Sequence, residues 1–478
     1  MAHFLSAARV AGPWVAPLAF WILIAPPASS QVTVLEVGPG ATYTTIQSAI
    51  DAVVNGADTE IRVEQNLTYT ENLEVPATFD SGSLSILGGW DATFSTRDPD
   101  PEHTVIDGDA SGRVLNVLIA GGTFLIDGFT LTNGRGDGAG ARVFTNLADN
   151  DAQIVIRNNW IAENHYPTST SAYGGGLYAY LRGTQHLEVL DSLIFGNTST
   201  ASSPTGYARG GGIFIQSSNE TTYLIDNCDV IDNSVGGNGG ERAGAGLYLS
   251  VDQNSKGKLF DTFFLGNTIL GTGTSTGSGG SFKTSGAGAL EVARTGWAEN
   301  TVDSGDATAQ LVYGVESGSH TLRMTDSGLA QGDSGGLEVH AASNGSVQLV
   351  NLTVADNPGV GILATQQDTS TLAIYNTISY GNGTDLTTSG TVDTGSNLVG
   401  VDPLFLDPFN LDDYLTAGSP AENMGDNDPP GGLGTLDIEQ NSRVIDGTVD
   451  IGFAEGIDVI FASSFETADT STWAFEKP

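Results

Sequence analysis

One short phrase recurs between Gly174 and Asn267 and restricts the folds open to this chain more than any other feature. It reads GGGLY (Gly174 to Tyr178) with IFGN ending at Asn197, then GGGIF (Gly210 to Phe214) with VIDN ending at Asn233. It returns as GAGLY (Gly244 to Tyr248) with FLGN ending at Asn267. Followed in both directions, the closing amide gives a file of Asn133, Asn164, Asn197, Asn233, Asn267, Asn300, Asp333, Asn357 and Asn382. The steps are 31, 33, 36, 34, 33, 33, 24 and 25 residues. A period of this size marks a solenoid, whose repeats bury their apolar faces against one another. The 478 residues therefore predict one elongated body rather than two or three ordinary domains.

The segments between these marks are short and β-rich: AQIVIRNNWI (152–161), HLEVLDSLIF (186–195), TTYLIDNCDVI (221–231), SVQLVNLTVA (346–355) and TLAIYNTIS (371–379). Alternation such as Ile154/Ile156 and Leu187/Val189 puts one face in and one face out. Coils stacked in parallel at about 4.8 Å, ten to twelve of them, make a rod on the order of 50–60 Å long. The closing Asn tolerates a left-handed turn and, stacked, can form a ladder. The Gly pairs permit a tight corner where a Cβ would collide. Long stretches such as 165–175, 198–211 and 235–245 should project from one side.

Composition narrows the class. Net charge is −39, only four residues are Lys, and 39% are hydrophobic, too many for a disordered acidic chain. Such a surface argues against nucleic acid and anionic membranes, and it repels acidic polysaccharides unless a divalent cation bridges them. Cys228 is the single cysteine, read as a small buried thiol in a strand. Residues 1–30 carry Arg9, an apolar run from Trp14 to Ile24 and Ala28-Ser29-Ser30, the layout of a secretory signal. No later run is long enough to span a membrane as a helix.

In chain order, TTIQSAIDAVVNG has Ile46, Ala49, Ile50 and Val53 at helical spacing, closed by Asn55-Gly56. With the short strands that follow, this resembles the entry of pectate-lyase-like right-handed β-helices, where a helix covers the first coil. The resemblance implies an all-β, right-handed parallel β-helix with a short N-terminal capping helix; an open end would expose core and strand edge. SLSILGGWDATFS (83–95) is similar to secreted β-helix proteins that begin with a GGWD-type segment. The pairing of Gly-Gly and FxxN units, with FLGN at 264–267, resembles polymorphic outer-membrane-protein repeats, which implies a cell-surface, often adhesive, role. Residues 397–455 resemble the C-terminal portion of choice-of-anchor Q proteins in DPLF (402–405), Tyr414-Leu415, Gly418 to Ala421, Arg443 and Asp450-Ile451-Gly452, with Phe453 where a small residue is usual. VIFASSFETADTSTWAF (459–475) resembles an IF-x-x-GFE tail of exported Gram-negative proteins. The expected organisation is a signal (1–30), cap and first coils (31–100), repeats (101–400), a closing segment (401–456) and a tail (457–478).

Two motifs are decoys. GDSGG (332–336) matches a serine-protease nucleophile loop but lacks the surrounding His and the disulfides, and it falls on the repeat's own Asp and Gly-Gly-Leu. RGD (135–137) lies in a Gly- and Asp-rich loop. Polysaccharide cleavage on a β-helix would need carboxylates with a basic group, or paired carboxylates. Asp107, Asp109 and Asp127 read as solvated turns before a Ca²⁺ site, and Arg157, Arg182, Arg209 and Arg242 read as scattered one per coil. Trp160, pointing outward beside Ile161, could stack on a sugar with Tyr166, Tyr173 and Tyr207 in neighbouring loops; Trp297 belongs to the core. The sequence favours a non-catalytic, exported β-helix protein binding glycans or surfaces through its loop-bearing side. A polysaccharide lyase or glycoside hydrolase is the alternative. No cofactor motif is evident, and Ca²⁺ stays open.

Overall fold

A computed structural model of the chain describes residues 32–144, 150–238, 240–303, 308–407, 412–445 and 447–455. Residues 1–30, read above as a secretory signal, and the tail at 457–478 lie outside the described residues. Alternation becomes burial: Ile156, Val189, Ile225, Leu259, Val292, Met324, Leu349 and Ile374 occupy one interior file, each one coil from the next in parallel register. A long parallel sheet of 23 strands runs in two legs around a corner, and a second parallel sheet of 11 strands closes the tube. The fold is a right-handed parallel β-helix.

Where the long sheet turns its corner, Asn158, Asp191, Asn227, Asp261, Arg294, Asp326, Asn351 and Asn376 all have positive φ. The inward residue after each is mostly a small hydroxyl: Ser192, Thr262, Thr295, Ser327 and Thr377 each donate to the carbonyl two residues back. Cys228 stands in that file and does the same, with Sγ 3.3 Å from Asp226 O and 3.4 Å from Val189 O. Its thiol is a hydroxyl substitute.

The second corner holds the amide ladder. Asn233 Oδ1 accepts from Asn197 N (3.0 Å) and Asn197 Nδ2 (2.9 Å), while Asn233 Nδ2 donates to Ile194 O (2.8 Å) and Asn267 Oδ1 (3.1 Å). Asn164, Asn197, Asn267 and Asn300 repeat this pattern. The glycines serve the same device. A Cβ on Gly176, Gly212, Gly246 or Gly279 would come within about 3.1 Å of the amide of Asn197, Asn233, Asn267 or Asn300 respectively. Glycine and asparagine recur together because one packs on the other.

Two ladder assignments are corrected. Asn133 is one place early: it has φ +55 and donates outward to Asp107 Oδ1 at 2.8 Å, while Gly134 N donates to Asn164 Oδ1. Asp333 is displaced more instructively. The ladder site in its coil is Gly332, and the missing amide comes from Gln310 in the glycine file. Gln310 Oε1 accepts from Asn300 N (3.2 Å) and Nδ2 (3.0 Å), and Nε2 donates to Ala330 O (2.9 Å) and Asn357 Oδ1 (2.8 Å). Amide and glycine have exchanged places, and a Cβ on Gly332 would lie 2.4 Å from Gln310 Cγ. Asp333 instead accepts from Val302 N at 2.7 Å. Beyond Asn357 the ladder runs to Asn382, whose N–H meets Asp385 Oδ1 at 3.0 Å.

The loops between the Asn corner and the glycines form a two-layered fin. Strands His165–Thr168, Thr198–Ala201, Ser234–Gly237, Thr268–Gly271 and Thr301–Val302 make one layer; Ala172–Tyr173, Ala208–Arg209, Arg242–Ala243 and Ser275–Thr276 make the other. Ala172, Ala201, Ala208, Val235, Ala245 and Ile269 fill the space between them. At the N-terminal end the helix spans only Ile46–Ile50 and does not reach Asn55-Gly56. Ala52 N and Val53 N bond to carbonyls three residues back, tightening the chain toward the strand Asp58–Glu64. Its first amides, Ile46 N and Gln47 N, donate to the Glu71 carboxylate.

The C-terminal segment closes the last coil through Ala421 and Ile451, packed on Ile378, Leu398, Phe405 and Leu415. It also runs back along the outside of the long sheet. Arg323 Nη2 donates to Gly432 O, and Phe453 N donates to Thr353 Oγ1. Phe453 packs over Gly328, its ring 4.0 Å from where a Cβ would be, an ordinary van der Waals separation.

Candidate functional site

The fin's inner layer meets the outer face of the second sheet in a re-entrant corner lined with aromatic rings. Every fifth residue of the GGGLY-type phrase points there, since the glycines start the strand and alternation carries that position outward. Tyr178 stacks on Phe214 at 5.3 Å and 6°, and Phe214 on Tyr248 at 5.2 Å and 2°. Tyr173 of the fin covers Phe214 at 5.0 Å, so Phe214 and Tyr248 are buried. Phe144, Tyr178 and Tyr180 stay half-exposed, with Phe144 5.6 Å from Tyr180.

Cations gather on these rings. Arg142 lies 4.1 Å over Phe144, Arg182 5.0 Å over Tyr180, and Arg209 4.4 Å over Tyr207 and 4.9 Å over Tyr248; Lys283 is 5.9 Å from Tyr248. Asp137 holds Arg113 and Arg142, and Glu241 holds Arg209 and Lys283. Five of the chain's 17 Lys and Arg thus stand along one groove, four of them held by two carboxylates. Burial depresses Arg142, and burial with Arg142 nearby depresses Arg113. Burial works against the charge on Arg209 but is outweighed by Tyr248 and Glu241, which leave it raised. Burial also works against the Glu241 charge, and Arg209 and Lys283 overcome it, so that carboxyl is lowered. Tyr178 is raised by burial. Partly dried cations over ring faces attract anions and sugar faces more strongly than cations in open water.

The outward file of Phe144 and Tyr180 continues through Gln216, Ser250 and Lys283, beside the buried Phe214 and Tyr248. The groove therefore runs along the rod axis, aromatic at one end and polar at the other, and suits a linear ligand. A recess of about 390 Å³ near the C-terminal end, bordered by Ser346, Gln348, Thr371, Asp393 and Pro430, has neither ring nor cation in its wall.

Of the four aromatic candidates, Tyr173 and Tyr207 reach this groove. Tyr166 packs against the fin interior with its phenol near Arg113 and Arg142. Trp160 is not brought to them: it sits on the long sheet between Thr130 and Leu193. The arginines are not scattered as expected. Arg182 and Arg209 join the groove, whereas Arg242 is sealed in the fin, donating to Leu270 O, Gly273 O and Ser275 Oγ. Arg157 binds Asp127, which is buried between it and Arg97 rather than solvated. Asp107 accepts from Asp109 N, as a turn residue does. The Asp of RGD is the partner of Arg113 and Arg142, and the half-buried Ser334 of GDSGG has a shielded hydroxyl with no histidine on it. Sequence reading missed Arg113, Arg142, Phe144, Tyr178, Tyr180 and Lys283, although the aromatic closing each Gly-rich phrase was a visible signal. Among the described residues no three His, Cys, Asp or Glu side chains converge as a metal-binding group.

No family model matches the chain. A curated protein, "Probable pectinesterase A" of Aspergillus niger (strain ATCC MYA-4892 / CBS 513.88 / FGSC A1513), is 28% identical over 211 residues. The match takes in 41% of this chain and spans 60% of that protein's length. Among solved structures, the crystal structure of pectate lyase Pel9A aligns with 90% of this chain and 97% of its own at 13% identity and a TM-score of 0.45. At that distance the likeness says nothing of chemistry. Established by its own strand register, the protein is a parallel β-helix with an arginine- and tyrosine-lined groove beside a two-layered fin.

Proposed function

We propose that this chain is an exported β-helix protein that binds an acidic polysaccharide along the groove between the fin and the second sheet. The observation that carries the reading is the concentration of Arg142, Arg182, Arg209 and Lys283 on aromatic rings, with Arg113 beside them on Asp137, in a chain of net charge −39. The acidic remainder of the surface, expected to repel such a ligand, then confines it to this track. Binding without turnover accords with Asp137 and Glu241 both being engaged by arginines. A cell-surface, adhesin-like setting in a Gram-negative bacterium is part of the same proposal and draws on the resemblances of the repeats and the C-terminal segment.

A second reading, a pectin-active enzyme, is favoured by the similarity to a probable pectinesterase. One experiment separates the two. Polygalacturonate, methyl-esterified pectin and a neutral glucan are offered to the protein, with binding read by affinity electrophoresis. Methanol, reducing ends and unsaturated products are read in parallel, with and without Ca²⁺. Binding of polygalacturonate without product supports the proposal, and Tyr180→Ala and Arg142→Ala should each weaken it about tenfold, the worth of one ring–cation contact. Product formation abolished by one point change selects the enzyme. Indifference to all three polymers overturns both.

A further inference from the structure

Where the C-terminal segment lies against the long sheet it buries more acid than base. Asp326 of the sheet and Asp437, Asp450 and Glu455 of the segment are all buried, with a single buried arginine, Arg443, among them. Three of the carboxylates meet backbone amides. Asp437 accepts from Glu439 N, Asn441 N and Glu455 N, Asp450 accepts from Asn423 N, and Glu455 accepts from the one amide of Asp450 at 3.2 and 3.3 Å. Asp326 and Glu455 also face the same atom, Arg443 Nε, each at 3.3 Å. The other guanidinium contacts are already neutral: Asp450 O, Gly452 O and, with its amide assigned so that the oxygen faces the arginine, Asn351.

We propose that the C-terminal segment, residues 421–455, is held on the rod by a proton shared within the Asp326–Arg443–Glu455 cluster, so that its docking weakens as pH rises through neutrality. One guanidinium neutralises one carboxylate, and a second buried carboxylate is costly unless it keeps its proton. The surroundings agree. Burial pushes Glu455 up to about 7, with Asp450 and Asp437 adding to it against Arg443. Burial pushes Asp326 up to about 6, opposed by Arg443, the Thr325 hydroxyl, Arg323 and Arg294. Arg294 is itself committed to Asp261, and Arg323 to Gly431 O and Gly432 O. Gln348, Asn351, Thr353 and Asn376, further polar residues of the sheet against the segment, do not titrate. These are acids whose docked affinity for protons exceeds the undocked one. Stability of the docked segment is therefore fully present below the ordinary carboxylate range and declines as pH climbs through 6 and 7. The linkage for Glu455 corresponds to a fall in the docked-to-undocked ratio on the order of 100-fold between about pH 5 and about pH 8.

Hydrogen exchange of the full chain at those two pH values, corrected for intrinsic rates, reads this directly. Amides of Ile438, Arg443, Ile451 and Phe453 should lose roughly 100-fold more protection than those of Leu177–Leu181 and Ile213–Ser217. Glu455→Gln, a permanent neutral, should flatten most of that difference, and Asp326→Asn the remainder. Equal pH responses in segment and rod, or an unchanged response in Glu455→Gln, overturn the proposal. If Glu455→Gln also deprotects the rod strands, the wild-type series together with Asp326→Asn decides.

Discussion

The exchange of amide and glycine between positions 310 and 332 makes a quantitative prediction. Gln310→Gly removes four hydrogen bonds and strands Asn300 N and Ala330 O in the interior. At about 1–3 kcal/mol for each buried group left unpaired, the cost should be about 3–5 kcal/mol. Gly332→Asn, made alone, drives a side chain into Gln310 Cγ at 2.4 Å and should cost about 1–3 kcal/mol or more through overpacking. The double variant rebuilds the arrangement of the coils carrying Asn267 and Asn300, and should lie within about 1.5 kcal/mol of the wild type. The expected coupling is therefore at least about 2.5 kcal/mol, far outside the additivity seen for independent sites. Urea unfolding followed by far-ultraviolet circular dichroism on the four proteins of the cycle measures it. A coupling below about 0.5 kcal/mol, or a double variant no more stable than the worse single, would refute the claim that one amide serves this corner from either side.

Asn233→Ala should cost about 3 kcal/mol or more, since it unpairs Asn197 N and Ile194 O, whereas Asn133→Ala, outward and at φ +55, should cost about 1–2 kcal/mol from backbone strain and the lost bond to Asp107; urea midpoints compare them. Cys228→Ser should be tolerated within about 1 kcal/mol because the file already holds Ser and Thr. Burial pushes the thiol up to about 12, so iodoacetamide at neutral pH should label it only after unfolding; labelling of the native protein would contradict its placement.

Much of this molecule could be read from the sequence because its information is periodic and local. Alternation at Ile154/Ile156 or Leu187/Val189 fixes which face is buried, and the recurrence of Gly and Asn fixes the pitch of the coil. Neither needs knowledge of what lies across the tube. Tertiary structure alone decided which side of a corner supplies the amide, since Gln310 and Gly332 satisfy the same hydrogen bonds as Gly279 and Asn300 through a different pair of positions. It also decided where the charges converge. Arg113, Arg142, Arg182, Arg209 and Lys283 come from five coils and are neighbours only because strand register sets those coils side by side and the fin folds back over them. Periodicity specifies a position within a coil; the company a side chain keeps depends on stacking and on loops whose lengths break the period.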